Sequence, residues 1–237
     1  MLNEVYYAAP SSFHGDRIVL SREERKHLVT VVRHSTGDTV TIVDGVGNIY
    51  AAAIEQIGHE TVTCRVESKD HQERPLRVVL GVGLLKNPSR FDFLVEKATE
   101  LGVAEIVPLT SERTVATRGK ADHWSNIALA AMKQSGRAYL PLVAPVTPFK
   151  EFVGLHSADE IAVIAHEKAD APSINEVLHG IRPTAVRICV GPEGGFSDGE
   201  VATADQAGWK RISLGKYRLR AETAAIAAVA MCNQVVI

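Results

Sequence analysis

Two short stretches of this chain carry the residues best suited to chemistry. The first is GPEGGFSDGE, Gly191 to Glu200, which follows the apolar run RICV. A glycine-rich turn at the end of a strand lets the backbone approach a ligand closely. Its composition argues against phosphate, because Pro192 has no backbone N–H to offer and Glu193 puts a negative charge where an anion would sit. Gly191, Pro192, Glu193, Gly194 and Gly195 suit a neutral heterocycle read by backbone groups, or a cation. The alternative is a tight structural turn ahead of a helix capped by Ser197 and Glu200. The second stretch is SLGKYRLRAETAA, Ser213 to Ala225, which places Gly215, Lys216, Arg218 and Arg220 between a strand end and a helix. Glu222 falls in the first turn of that helix, where a negative charge favours the dipole. The arginines are either merely solvated or, beside a second strand-end glycine loop, part of a functional site.

Other chemistries lack their residues. GVGLLK (Gly81 to Lys86) has no third glycine for a dinucleotide fingerprint, and no G-x-x-x-x-G-K-[ST] occurs. The nine histidines never take the H-x-x-x-H spacing, and Cys64, Cys189 and Cys232 form no C-x-x-C pair, so no metal site is expected. Three well-separated cysteines among apolar neighbours read as buried thiols in a reducing compartment. No window is apolar for long enough to span a bilayer, and MLNEVYYAAPSS lacks the pattern of a secretory signal. Together these predict a cytoplasmic protein without a membrane partner. The formal net charge is −2, so a nucleic-acid site must be a local patch.

The elements that position the two stretches follow from periodicity. RIVL, DTVTIVDG, NIYAAAIEQI and TVTCRV alternate apolar and polar residues between Gly or Asp turns, predicting a small β-barrel over residues 1–72. SREERKHLVTVV interrupts them as a helix, with Ser21 and Glu24 spaced for a capping box. The charged run ESKDHQERP (Glu67 to Pro75) reads as a linker. Strands and helices then alternate over residues 73–237, predicting a parallel α/β domain. LRVVLGVGLL is apolar throughout, as a strand covered on both faces would be. SRFDFLVEKATELG places Phe93, Leu94, Lys97, Ala98 and Leu101 on one helical face and stops at Gly102. RAETAAIAAVAMCNQVV is an alanine-rich closing helix.

GPEGGFS and LGKYRLRAETA, preceded by EKATELGVAEIVPL, SERT and KQSGR, resemble the RsmE family over nearly the whole chain and in the same order. That resemblance implies an N-terminal PUA-like barrel that binds RNA and a C-terminal trefoil-knotted domain of the SPOUT superfamily. It implies S-adenosyl-L-methionine-dependent methylation of N3 of a uridine in bacterial 16S ribosomal RNA. The alternatives are a non-catalytic assembly factor, or a related methyltransferase with another RNA target. Carried onto this sequence, the cofactor loops are His166 and Glu167; Val190, Gly191, Pro192, Glu193, Gly194 and Gly195; and Leu214, Gly215, Tyr217, Leu219, Arg220, Thr223 and Ala224. A sulfonium tolerates Glu193 where a phosphate would be repelled. Arg220 is the cation expected beside the uracil carbonyls, and the base is either Glu222 or water. Tyr217 stands where the family often has arginine, so Arg218 inherits no role by position. Arg22, Arg25, Lys26 and Arg33 are the expected RNA contacts. The partners implied are 16S rRNA or the small ribosomal subunit and a second copy of the chain, the small residues of AAIAAVA fitting either a homodimer or a monomer core.

Overall fold

The computed structural model describes residues 4–73, 76–116, 119–157, 159–166, 171–181 and 183–234. Two compact units are present: Met1–Arg74 with Leu129–Leu140, and Pro75–Ala128 with Pro141–Ile237.

In the first unit, β1 (Val5–Tyr7), β2 (Phe13–His14), β3 (Arg17–Leu20), β4 (Thr39–Val43), β5 (Asn48–Ile57) and β6 (Val62–His71) form one sheet, ordered β1-β4-β5-β6-β3-β2. Every pairing is antiparallel except β1 with β4. The period-two pattern buries Ile18, Leu20, Ile42, Ala52, Ile54 and Val62 on one face, around Tyr6 and Leu28. Each of the buried Ile, Leu and Val side chains contributes about 1.5–3 kcal/mol relative to exposure.

The charged run is not a linker along its length. β6 continues to His71 and pairs with β5 as far as Asn48, so the polar residues of ESKDH are an exposed strand half. The helix expected after Ser21 also divides. α1 (Arg22–Lys26) is followed by a π-helical segment over His27–Val32. Ser21 Oγ accepts the Glu24 N–H at 3.4 Å, yet the return half of the capping box is missing. Buried Glu24 instead accepts a hydrogen bond from Lys133 Nζ, an ion pair stronger than the cap bond it forgoes.

The second unit is a parallel sheet flanked by helices. β7 (Arg77–Gly83) is central, and α2 (Pro88–Glu100) leads to β8 (Glu105–Thr110). α3 (Ala121–Gln134), whose residues from Leu129 onward count with the first unit, precedes the short β9 (Leu142–Val143), β10 (Thr147–Pro148) and α4 (Phe149–Gly154). β11 (Glu160–Ala165), α5 (Ile174–Leu178), β12 (Ala185–Val190), α6 (Asp198–Gln206), β13 (Lys210–Ile212) and α7 (Ala221–Gln234) complete it. The order is β10-β8-β7-β12-β11-β13, with β9 also on β8. β7 buries Val78, Leu80 and Val82 in one cluster and Val79 in another, which is why it reads as uninterrupted apolar sequence.

α2 buries a face rotated from the expected one. Phe91, Leu94, Val95 and Ala98 are inside, whereas Phe93 is 48% and Leu101 37% exposed. Phe91 stacks on Trp124 at 4.2 Å between centroids, an aromatic partner contributed by α3 that the helix pattern alone does not show. α7 turns Ala225, Ala228, Val229 and Cys232 into the same core, so its small residues serve close packing within the unit.

Candidate active site

The site is built where β12, β11 and β13 end. β12 stops at Val190, the Pro192 carbonyl accepts the Gly195 N–H at 2.8 Å, and Gly195 at φ +68° turns the chain toward α6. Ser197 then caps that helix with a complete box. Its Oγ accepts the Glu200 N–H at 3.1 Å, and Glu200 Oε2 accepts the Ser197 N–H at 2.9 Å. The second oxygen of the same carboxylate accepts the Glu112 N–H at 2.9 Å, fastening the loop after β8 beside the glycine turn. The next residue, Arg113, donates from Nη1 to the Gly194 carbonyl at 2.9 Å. Glu193 accepts the Lys86 N–H at 3.0 Å and so ties the turn to the segment leading into α2. The carboxylate that looked out of place beside a glycine turn has a bracing role in addition to its charge.

The second wall follows β13. Gly215 adopts φ +122°, and its N–H donates to Ser213 Oγ at 3.3 Å. Lys216 Nζ lies 5.1 Å from the centroid of the Tyr217 ring, and Tyr217 is 75% exposed. His166, directly after β11, donates its N–H to the Ile212 carbonyl at 3.0 Å, which joins the third loop to this one.

Together the loops enclose a cleft of about 760 Å³. Of the residues expected at a cofactor, His166, Val190, Gly191, Pro192, Glu193, Gly194, Gly195, Leu214, Gly215, Tyr217, Leu219, Arg220 and Ala224 line it. Glu167 lies outside the described residues. Thr223 is exposed on α7 and is not in the lining. Glu222 is buried and absent from the lining, with Oε1 3.7 Å from Arg90 Nε. Arg90 and Arg113 line the cleft and were not singled out from sequence. Each is a single arginine in a helix or loop distant in sequence, with no spacing to mark it.

The residues expected to meet RNA divide in two. Arg22 pairs with Glu60 at 3.1 Å, and Arg25 Nε donates to the Gly58 carbonyl at 2.7 Å, so both are held by the β5–β6 turn. Lys26 and Arg33 are exposed. Arg33 has φ +67°, and among the described residues no other non-glycine residue adopts a positive φ.

The chain matches the RNA methyltransferase domain over residues 72–233 and the RNA methyltransferase PUA domain over residues 20–67. It is 31% identical to the ribosomal RNA small subunit methyltransferase E of Synechocystis sp. over 95% of this chain and 75% of that one. It is 33% identical to the enzyme of the same name from Mesomycoplasma hyopneumoniae, over 69% and 72% of the two chains. The chain belongs to the ribosomal RNA small subunit methyltransferase E family. It is an RNA methyltransferase with that family's two-part fold, a PUA-like curled sheet and a SPOUT α/β domain. The family member from Neisseria gonorrhoeae, solved bound to S-adenosyl methionine, aligns over 98% of both chains with a TM-score of 0.88 and 28% identity. Among the described residues no helix is long and apolar enough to cross a membrane, and no cluster of His, Cys, Asp or Glu is placed to hold a metal.

Proposed function

We propose that this chain transfers a methyl group from S-adenosyl-L-methionine to N3 of a uridine in the 16S ribosomal RNA of the small subunit. The observation that supports it most is the convergence of both singled-out loops on one cleft, in a fold shared end to end with a relative solved with S-adenosyl methionine. The cleft fits such a ligand. Its volume falls within the range of about 300–1,000 Å³ typical of small-molecule sites. Glycines at 191, 194, 195 and 215 bring bare backbone to its wall, where adenine is readable by N–H and C=O groups. Glu193 and Asp198 supply negative charge beside it, which suits a sulfonium.

When bound, the cofactor supplies an activated methyl group, so the protein's task is alignment and charge stabilisation. Alignment is worth about 7–11 kcal/mol when the reacting atoms are well oriented. N3 becomes nucleophilic as its proton passes to water, and the charge of the resulting anion spreads onto O2 and O4. Arg220, exposed at the rim with no ion pair among the described residues, is the proposed cation for those oxygens. The target base enters unpaired or flipped from its stack.

Calorimetry with S-adenosylmethionine, followed by nucleoside mass spectrometry of small-subunit RNA after incubation, tests this reading. The expected product is N3-methyluridine. No cofactor binding, or a methyl group on another nucleotide, would overturn it. On the RNA side, Arg33→Gly is expected to relieve left-handed strain worth about 1 kcal/mol, raising stability in urea titrations. The same variant should weaken RNA binding at low salt, if Lys26 and Arg33 meet phosphate as proposed. A homodimer is the proposed assembly, checked by sedimentation.

A further inference from the structure

We infer that Arg90 is a catalytic cation of this cleft, set against the reacting base by Glu222 as its positioning residue. The inference rests on the methyl-transfer reading above and adds a role that neither loop motif contains. Arg90 sits in the first turn of α2, and its side chain is 37% exposed, in the wall of the cleft. Its Nε lies 3.7 Å from Glu222 Oε1, on a side chain only 10% exposed and anchored in the first turn of α7. The other oxygen, Glu222 Oε2, is buried and finds no donor among the described residues.

These facts separate the two roles. A general base must come within hydrogen-bond reach of the proton it takes, and Arg90 lines the cleft whereas Glu222 is buried and absent from its lining. A carboxylate in that place orients a guanidinium. Glu222 Oε1 forms an ion pair with Arg90 Nε at 3.7 Å, and its other oxygen is unfilled among the described residues. Arg220, by contrast, is exposed at the rim. A held, half-buried cation stabilises developing charge better than a solvated one, because it needs no reorganisation and is less screened. Arg90, on α2, is therefore the cation we assign to the uracil oxygens.

The test uses the full chain and small-subunit RNA, with Arg90→Ala, Arg90→Lys, Glu222→Gln and the Arg90→Ala/Glu222→Gln double variant. Cofactor affinity and single-turnover methyl transfer are measured for each. Cofactor affinity is expected to stay at the wild-type value, which also reports on folding. Arg90→Ala should slow methyl transfer by about 100-fold or more, as removal of one charge-stabilising donor does elsewhere. Added guanidinium should restore part of that rate, and Arg90→Lys should keep part of it, which also serves where the alanine variant does not fold. Glu222→Gln should slow transfer less, and should add nothing once Arg90 is gone. An Arg90→Ala rate equal to wild type overturns the assignment, as does a loss confined to cofactor affinity. A further loss from Glu222→Gln in the Arg90→Ala background makes Glu222 an independent catalyst and overturns its positioning role. A wild-type protein that transfers no methyl group overturns the function itself, and the assignment with it.

Discussion

Replacing Gly83 with alanine is expected to weaken S-adenosylmethionine binding by about 100-fold or more, equivalent to about 2.7 kcal/mol. Gly83 ends β7 beside the glycine turn, and a Cβ there would lie 2.5 Å from both the N and Cδ of Pro192 and 3.0 Å from its Cα. Two of those atoms are backbone, so no side-chain rotation relieves the clash and the turn itself must move. Its movement strains the Gly195–Pro192 turn bond and the Glu193 bond to Lys86, both of which hold the cleft wall. Gly199→Ala is the matched control. Its nearest neighbours would stand at 3.7 and 3.9 Å, ordinary contact, and cofactor affinity should be unchanged. Calorimetry on both variants, with circular dichroism to check the fold, reads the difference. Wild-type affinity in Gly83→Ala would show that the Val190 to Gly195 wall does not carry the cofactor.

The second large effect concerns stability, at the opposite edge of the same sheet. Glu160, Arg187, Arg77 and Glu105 meet near the starts of β11, β12, β7 and β8. Arg187 Nε donates to Glu160 at 2.9 Å, Arg77 Nη1 donates to Glu160 at 2.8 Å, and Arg77 Nη2 donates to Glu105 at 2.8 Å. The Arg187 and Glu160 side chains are 9% and 10% exposed, so removing Glu160 leaves the Arg187 charge buried without its carboxylate. Glu160→Ala is expected to cost about 3–5 kcal/mol at neutral pH, measured by urea unfolding. Replacing Glu160 and Arg187 together by methionine should recover much of that loss, since the paired desolvation cost disappears with the pair.

Acid should erode the same contribution. Burial pushes the Glu160 carboxyl upward, but the hydrogen bond and charge of Arg187, with Arg77 behind them, outweigh it, and the carboxyl is held below the ordinary glutamate value. A carboxyl lower in the folded than in the unfolded state adds stability at pH above its unfolded value. That stability is lost as pH falls through the folded value. The gap between wild type and Glu160→Ala should therefore narrow on acidification. A constant gap would mean that Glu160 stabilises by packing alone.

The two loops could be read from sequence because glycine and proline fix backbone options locally. GPEGG needs a turn, and Ser197 with Glu200 makes the capping box that its spacing predicts. The same spacing at Ser21 and Glu24 made only half a box, because Lys133 competed for the carboxylate from 109 residues away. The buried face of α2 differs from the one its own pattern predicts for a similar reason. Phe91 and Phe93 are equally apolar, and Trp124 of α3 decides which is buried. The small helix α5 carries a local signal of its own. Ser173 and Glu176 form a complete capping box at its start. Arg90 and Arg113 are hidden in a stricter sense. Their significance lies in Glu222 and Gly194, contacts far away in sequence that only the folded chain brings close.

Glu200 sets a demand on the amino-acid alphabet. Its two oxygens receive N–H groups from two separate chain segments, Oε2 from Ser197 at the start of α6 and Oε1 from Glu112, 88 residues before Glu200. Glutamine has nearly the same shape but would turn an NH2 group toward one of those two donors. One segment would stay fastened and the other would be pushed off. The wall of the cleft thus depends on a side chain that is acceptor on both prongs, and a change of one atom from oxygen to nitrogen would release either the cap of α6 or the segment that leads into Arg113.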